Sequence, residues 1–249
     1  MATEAIAVPG SRRRPSYRPV NRTAERVFYT GMALLLCVCV YIGFSPTYFR
    51  AGLLRAPLPS PILHIHGAVF TLWMLLFVVQ AALISAKRVH WHRSLGTVAF
   101  CLPPIMIVLG VIAAIDALRR GVMIGPLDPA VSLAIPLIGI VAFAIVIFAS
   151  WRARRRPDAH KRLILLATIG ICGAAFGRFP WDRIGLPPAA GAVTGVGVLI
   201  VLFLIFELVT LRRIHRSTMW AAPLVLATTA FAVPIGMTGA WHAFAALLK

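Results

Sequence analysis

The sequence predicts an all-α, polytopic membrane protein in which about seven transmembrane helices form one bundle. Hydrophobic residues make up 60% of the 249 residues and charged residues only 13%, whereas a soluble domain carries roughly 25% charged residues. Apolar runs of 18 residues or more recur along the chain, and each is long enough to cross about 30 Å of hydrocarbon as a helix. The runs lack the short alternating segments of a transmembrane barrel.

The chain divides into a polar tail and one apolar domain. Residues 1–26 are polar and rich in arginine, which predicts a disordered cytoplasmic tail. Residues 27–249 form the transmembrane domain, because the first apolar run is not followed by a signal-peptide cleavage site. Its helices are expected at about 27–44, 62–86, 94–118, 129–151, 163–179, 186–211 and 217–247.

Prolines interrupt two of these runs. Pro103 and Pro104 fall within the third run and predict a bend there, because a proline removes a helical hydrogen bond. Pro234 interrupts the last run, which is longer than a span requires. We therefore expect the last helix to kink, to tilt or to end in an interfacial piece.

Lysine and arginine residues set the expected orientation. Of these 25 residues, 18 fall in the tail and in the loops on its side of the membrane, and seven fall on the other side. The positive-inside rule then places the N-terminus in the cytoplasm and the C-terminus outside. Five of the six tryptophans lie at expected helix ends, as in an aromatic belt. We therefore expect a multi-pass protein of a bacterial inner membrane.

The formal net charge of +18 is gathered in short clusters between the apolar runs. Such clusters predict contact with anionic lipid headgroups and argue against nucleic acid as a partner. Four cysteines fall inside apolar runs without a C-x-x-C pair, which predicts buried thiols and no disulfide framework. They are Cys37, Cys39, Cys101 and Cys172.

A histidine followed by a basic residue recurs in the three expected cytoplasmic hairpins. The pairs begin at His92, His160 and His215, each where a helix starts its return across the membrane. The positive end of a helix favours neutral imidazole, which is the form that binds metals. These histidines are therefore candidate cofactor ligands, with Arg93 and Arg162 as partners of a haem propionate or a lipid headgroup. The alternative, that these histidines and arginines are only anchors at the lipid interface, stays open.

The opposite side of the membrane carries a second group of histidines. His64 and His66 open the second helix, and His242 lies near the end of the chain, so these three are candidate metal ligands. Arg178 ends the fifth run and is expected to snorkel to the interface. Glu207 lies about one turn inside the sixth helix on the cytoplasmic side, where an acid usually has a partner, and Arg93, Arg162 or a protonated histidine could supply it.

Three sequence runs resemble a large group of uncharacterised bacterial integral-membrane proteins of unknown function. The runs are HIHGAVFTLWMLLFVVQ, WHRSLG and AHKRLILLATIGICGAAFGRFP, and the resemblance covers roughly residues 28–220. It depends on H-x-H-G, H-R-x-L-G and H-K-R-L motifs at helix starts and on a later arginine. The matching positions are His64, His66, Gly67, His92, Arg93, Leu95, Gly96, His160, Lys161, Arg162 and Arg178. The resemblance implies a helical membrane fold and carries no established activity.

Two functions from different classes follow. Histidines on different helices at both faces are typical of a membrane-embedded b-type cytochrome, so the first is a protein that binds haem b or another metal for electron transfer. No histidine lies deep within a run, which departs from that pattern. The second is a non-catalytic component that binds anionic lipid or a partner membrane protein. Because no nucleophile and base occur at a credible spacing, the sequence assigns no reaction and no catalytic residue.

Overall fold

A computed structural model describes residues 21–50 and 60–249 of the chain. Within these residues the fold is all-helical and contains no strand. Seven segments are long and apolar enough to cross a membrane: Arg22–Phe49, Pro61–Ser85, Val89–Arg119, Pro129–Arg152, Pro157–Phe176, Pro188–Leu211 and Arg216–Gly236. The predicted all-α class and number of apolar spans are therefore confirmed for the described part. Most of the predicted tail lies outside the described residues.

The described residues form ten α-helices and two short helical turns, of which the last helix and the 3₁₀ turn lie outside these segments. The helices are α1 (Arg22–Phe44), α2 (Pro61–Ser85), α3 (Val89–Ala99), α4 (Leu102–Arg119), α5 (Pro129–Arg152), α6 (Pro157–Ile171), α7 (Gly173–Phe176), α8 (Pro188–Leu211), α9 (Arg216–Gly236) and α10 (Gly239–Ala246). A π-helical turn (Ser45–Phe49) extends α1, and a 3₁₀ turn (Trp181–Ile184) precedes α8. We call the end of the bundle where α1 begins the inner end and the other the outer end.

Caps and prolines set the helix limits. The first helix starts at Arg22, earlier than the predicted residue 27. Asn21 caps it, because its Oδ1 atom accepts hydrogen bonds of 3.1 Å from the backbone amides of Thr23 and Ala24. The third span breaks between α3 and α4, just before Pro103 and Pro104. The last run continues past Pro234 to Gly236, and Thr238 then caps the separate helix α10. The predicted bend and interruption are thus both present.

All four cysteines are free thiols. Cys172 is buried, at the point where the fifth span divides into α6 and α7. Cys101 is exposed at the break between α3 and α4, so the prediction of a buried thiol is wrong for that residue. The break turns its side chain away from the bundle, which a continuous apolar run does not reveal.

Helix α6 occupies the centre of the bundle. One closed series of contacts runs from α1 through α2, α4, α5 and α6–α7 back to α1. On the other side of α6–α7, α8 packs against α7 and α9, and α9 packs against α5 and α6. The helix α10 folds back onto α5 and α9 at the outer end. Two faces of α6 therefore meet different neighbours, and its polar residues divide between them.

Substituting Gly43 with alanine tests the closest helix contact. A Cβ atom at Gly43 would lie 2.4 Å from the carbonyl oxygen of Ala175, which is backbone and unable to move aside. We expect Gly43→Ala to lower the free energy of unfolding by about 1–3 kcal/mol because α1 and α7 must separate. The measurement is thermal unfolding of the purified chain in detergent.

Gly31→Ala in the same helix is the matched control. A Cβ atom at Gly31 would meet nothing within 4 Å, and alanine is the better helix former. Its melting temperature should equal or exceed that of the wild type. Equal melting temperatures for both variants would contradict the close approach of α1 to α7.

Candidate functional site

His92 lies at the inner end, under the last turn of α2. The chain reverses sharply between α2 and α3, with Lys87 in the left-handed region at φ 60°, and this brings the first turn of α3 against α2. The Nδ1 atom of His92 lies 3.4 Å from the carbonyl oxygen of Gln80. The imidazole therefore has a polar neighbour on α2 that fixes one ring nitrogen.

The side-chain amide of Gln80 also contacts His92. With its nitrogen turned towards α3, this amide donates to His92 Nδ1 at 2.5 Å and to the His92 carbonyl at 3.1 Å. Its oxygen then accepts from the Gly96 amide at 3.0 Å. In that orientation Nδ1 is an acceptor and Nε2 carries the proton. With the amide reversed, Nδ1 carries the proton and Nε2 keeps a free lone pair.

His160 lies on α6, on the side of that helix that faces α5 and the end of α3. Its Nδ1 atom lies 3.1 Å from the carbonyl oxygen and 3.0 Å from the hydroxyl of Ser150 on α5, a fully buried residue. Its ring faces Phe100, next to the end of α3, with centroids 6.0 Å apart. A histidine that donates its Nδ1 proton to a carbonyl keeps the Nε2 lone pair, which is the arrangement typical of metal-ligating imidazole.

The structure brings His92 and His160 together. They lie on neighbouring elements and close enough to interact electrostatically, and both are half-buried. No hydrogen bond within the described part of the chain uses Nε2 of either ring. The two predicted ligands therefore lie at the same end of the bundle, and Nδ1 of each has a hydrogen-bonding neighbour. Arg93, the predicted cationic neighbour, is exposed on α3.

His215 occupies a different place and caps a helix. Its Nδ1 atom accepts a hydrogen bond of 3.1 Å from the Ser217 amide at the start of α9. Its own amide donates to Glu207 Oε2 at 3.1 Å. Burial lowers the pKa of His215 below its ordinary value, and the neutral form is the one that can accept this bond. The structure thus does not gather the three predicted inner histidines at one point.

Arg162 and Glu207 form a buried ion pair between α6 and α8. Their side chains are 1% and 0% exposed, and Arg162 Nε donates to Glu207 Oε1. Glu207 also accepts from the Thr218 hydroxyl at 3.0 Å, and Arg162 Nη1 donates to the Asp158 carbonyl at 2.6 Å. The expected partner of Glu207 is therefore Arg162. Because the Arg162 side chain is only 1% exposed and is paired with Glu207, the structure does not present it at the surface as the predicted partner of a propionate.

The predicted outer histidines lie apart. His64 is exposed, and its carbonyl accepts from Tyr48 Oη at 3.3 Å. His66 points inward, stacks on Phe70 with centroids 4.1 Å apart, and has a buried Nδ1 atom without a hydrogen-bond partner. His242 is exposed on α10. Among the described residues, no group of three or more His, Cys, Asp or Glu side chains is arranged to hold a metal ion. His64, His66 and His242 therefore do not form the predicted metal site.

Sequence reasoning missed the two residues that fix the inner imidazoles. Gln80 carries a signal in the sequence, since it is a rare polar residue within a long apolar run and lies 14 positions after His66, on the same helical face. Ser150 carries none, because a serine at a helix end is ordinary. Its contact with His160 exists only because α5 and α6 pack together.

The comparisons with known proteins give no relative. No family model, no curated protein and no solved structure matches the chain. The resemblance of its helix-start motifs to a group of bacterial membrane proteins therefore stays a prediction.

Acidification should destabilise the fold through His215. Because burial lowers the pKa of this histidine from its ordinary 6.5, the unfolded chain binds a proton more readily than the folded chain does. The stability it contributes is present above about pH 6.5 and is lost as the pH falls below that value. The measurement is the melting temperature in detergent at about pH 7.5 and about pH 5.5.

His215→Asn separates this effect from the other histidines. Asparagine is a good N-cap that does not titrate, so the variant should lose less of its melting temperature on acidification than the wild type. His90→Asn, at an exposed position of α3, should behave like the wild type. A fall of equal size in all three proteins would contradict a titrating cap.

Proposed function

We propose that the protein is a multi-pass membrane protein in which His160 and His92 at the inner end would hold a haem b-type group, which would supply electron transfer. The observation that supports this most is the fixed imidazole of His160, whose Nδ1 atom is held by Ser150 while Nε2 has no partner. Second-shell oxygens of this kind orient a ligand imidazole and raise its basicity. His92 is a second imidazole at the inner end, and its Nδ1 atom likewise has a hydrogen-bonding neighbour.

The number of donors favours haem over a bare metal ion. Structural zinc takes four protein ligands and catalytic zinc takes three, and the described residues offer no group of three or more. A porphyrin supplies its own equatorial nitrogens, so only axial ligands come from the protein. Two imidazoles on neighbouring helices meet that requirement. When bound, the group supplies one-electron redox chemistry.

Gln80 is the positioning residue for His92 in this proposal. Ligation by His92 Nε2 requires the proton on Nδ1, so the Gln80 amide must present its oxygen to the ring. The amide nitrogen lies 2.5 Å from Nδ1 in the satisfied orientation, so ligation requires the amide to turn over and give up its bonds to the His92 carbonyl and the Gly96 amide. The Gln80 carbonyl, 3.4 Å away, offers a further acceptor. Arg93, which is exposed and directly follows His92 on α3, is the candidate partner for a propionate.

Removing the imidazoles should remove the haem. The full chain, purified in detergent and supplied with haemin, should show a reduced-minus-oxidised spectrum with a Soret band and close to one haem per chain. His160→Ala and His92→Ala should each lose the low-spin spectrum, because each removes one axial ligand. Gln80→Leu should keep the haem but shift its potential, since it removes a polar contact to the ligand ring.

His90→Ala is the matched control, since His90 is an exposed histidine on the same helix, two residues from His92. Its spectrum should equal that of the wild type. A wild-type chain without a Soret band, or a band that survives in the double variant of His92 and His160, would overturn the proposal. That result would instead favour the lipid-binding function.

Lipid or partner binding is the second candidate, and the basic loops at the inner end favour it. Exposed arginines follow α5 and α8, where they meet the headgroups if the bundle spans a membrane. Arg154 additionally lies over the ring of Trp151 at 4.4 Å, a pair suited to the interface. These residues serve as anchors whether or not the bundle holds a cofactor.

We further propose that the bundle crosses a bacterial inner membrane with its inner end in the cytoplasm. The support is the excess of lysine and arginine at that end. Alkaline phosphatase fused after Lys249 should be active, because it folds only outside the cytoplasm, whereas green fluorescent protein at the same site should be dark. Fusions in the 212–215 loop should give the reverse result. The same reporter being active at both sites would contradict this orientation.

A further inference from the structure

An open cleft of about 430 Å³ lies at the outer end of the bundle, between the first turn of α2 and the last two turns of α4. Its volume falls within the range of about 300–1,000 Å³ that is typical of small-molecule sites. The lining residues are Ile62 of α2 and Ile112, Ile115, Asp116 and Arg119 of α4. The residues from α4 share one face of that helix, so an apolar wall leads to two opposite charges near the helix end.

The carboxylate of Asp116 is held by one of its two oxygens. Its Oδ2 atom accepts from the Ser60 hydroxyl at 3.1 Å and from Arg120 Nη2 at 2.8 Å. Among the described residues, no hydrogen bond uses Oδ1. Arg120 is not part of the cleft lining, and the side chains of the ion pair are 40% and 30% exposed. A pair this exposed contributes little, so Asp116 keeps its capacity to bind a further cation.

The guanidinium of Arg119 is held by a different part of the chain. Its Nε atom donates to the carbonyl of Leu248, just after α10, at 2.9 Å. Residues three apart on a helix are neighbours, with Cβ atoms about 5–6 Å apart, yet Arg119 and Asp116 form no ion pair in the described structure. The terminal nitrogens of Arg119 have no hydrogen-bond partner within that part of the chain. One cation and one anion therefore line the same cleft without neutralising each other.

The charges of the cleft determine the kind of ligand that fits it. A guanidinium presents a planar fork that matches a phosphate, and a carboxylate accepts hydrogen bonds from an ammonium. A ligand that satisfies both needs a negative and a positive group close together, with an apolar part for the isoleucine wall. Phosphatidylethanolamine has all three, because a two-carbon link joins its ammonium to its phosphate. A purely anionic headgroup would bring its charge beside Asp116 and be repelled there.

We propose that the cleft between the outer ends of α2 and α4 binds the headgroup of a zwitterionic phospholipid, with Arg119 at the phosphate and Asp116 at the ammonium. The isoleucines of the cleft contact the start of an acyl chain. The site lies at the other end of the bundle from His92 and His160, so it is independent of haem binding. It rests on the membrane insertion proposed above, which the reporter fusions test separately from lipid binding.

The test compares two lipids that differ only in the N–H donors of the headgroup. The full chain in a neutral detergent is titrated with dioctanoyl phosphatidylethanolamine and with dioctanoyl phosphatidylcholine, and binding is followed by the shift in melting temperature. The ethanolamine lipid should bind more tightly, because the methyl groups of choline leave no donor for Asp116. Arg119→Gln should weaken its binding by about tenfold or more, the usual effect of losing a charge-assisted hydrogen bond. Asp116→Asn should remove the difference between the two lipids.

Asp182→Asn and Arg183→Gln are the matched controls, since both residues are exposed at the outer end and neither lines the cleft. Both variants should bind the two lipids as the wild type does. Ile112→Ser, in the apolar wall, should weaken both lipids to the same extent, and it provides a second variant if Asp116→Asn does not fold. Equal affinities of the wild type for the two lipids would overturn the proposal, as would equal affinities of Arg119→Gln and Arg183→Gln.

Two further probes test whether the ligand is a lipid and whether it is zwitterionic. Phosphoethanolamine, the headgroup without acyl chains, should bind at least about tenfold more weakly than the lipid, because it leaves the isoleucine wall without a partner. Equal affinities would assign the cleft to a soluble zwitterion and overturn the proposal. Dioctanoyl phosphatidylglycerol should bind more weakly than the ethanolamine lipid. Tighter binding of phosphatidylglycerol would indicate a simple anion site and contradict the role of Asp116.

Discussion

The ion pair between Arg162 and Glu207 fixes the arrangement of the helices around α6. Both groups are almost completely buried, where an unpaired charge would cost several kcal/mol. The Thr218 hydroxyl, the His215 amide and the Asp158 carbonyl complete the hydrogen bonds of the pair. It therefore joins α6 to α8 and to the start of α9. A rotation of α6 or α8 would leave a charge without its partner, and a rotation of α9 would remove hydrogen bonds from Glu207.

This constraint also determines where His160 points. Residues two apart on a helix lie on nearly opposite faces, so holding Arg162 towards α8 turns His160 towards α3 and α5. Ser150 and Phe100 meet it there. Lys161, between them, reaches Glu25 on α1 at 2.7 Å and Asp158 at 3.0 Å. Three consecutive residues thus contact three different sides of the bundle, and the structural pair positions the candidate ligand.

Helix α2 connects the two ends of the molecule. One face of α2 carries a polar side chain at every seventh position, namely His66, Trp73 and Gln80. The imidazole of His66 lies towards the outer end of the helix, the indole of Trp73 at its middle and the amide of Gln80 towards its inner end. The Trp73 nitrogen and His66 Nδ1 are both buried without a partner in the described structure. Most buried polar groups in proteins are satisfied, so this face of α2 concentrates unused hydrogen-bonding capacity.

The sequence by itself determined the helical class, the seven apolar spans and the breaks near Pro103 and Pro234. Those features depend on hydrophobic length and on backbone chemistry, which are local. Only the tertiary structure decided which polar residues meet. His92, His160 and His215 have the same sequence context, yet His92 contacts Gln80 on α2, His160 contacts Ser150 on α5 and His215 caps α9, because helix rotation and packing depend on contacts between distant residues. The pairing of Arg162 with Glu207 follows for the same reason.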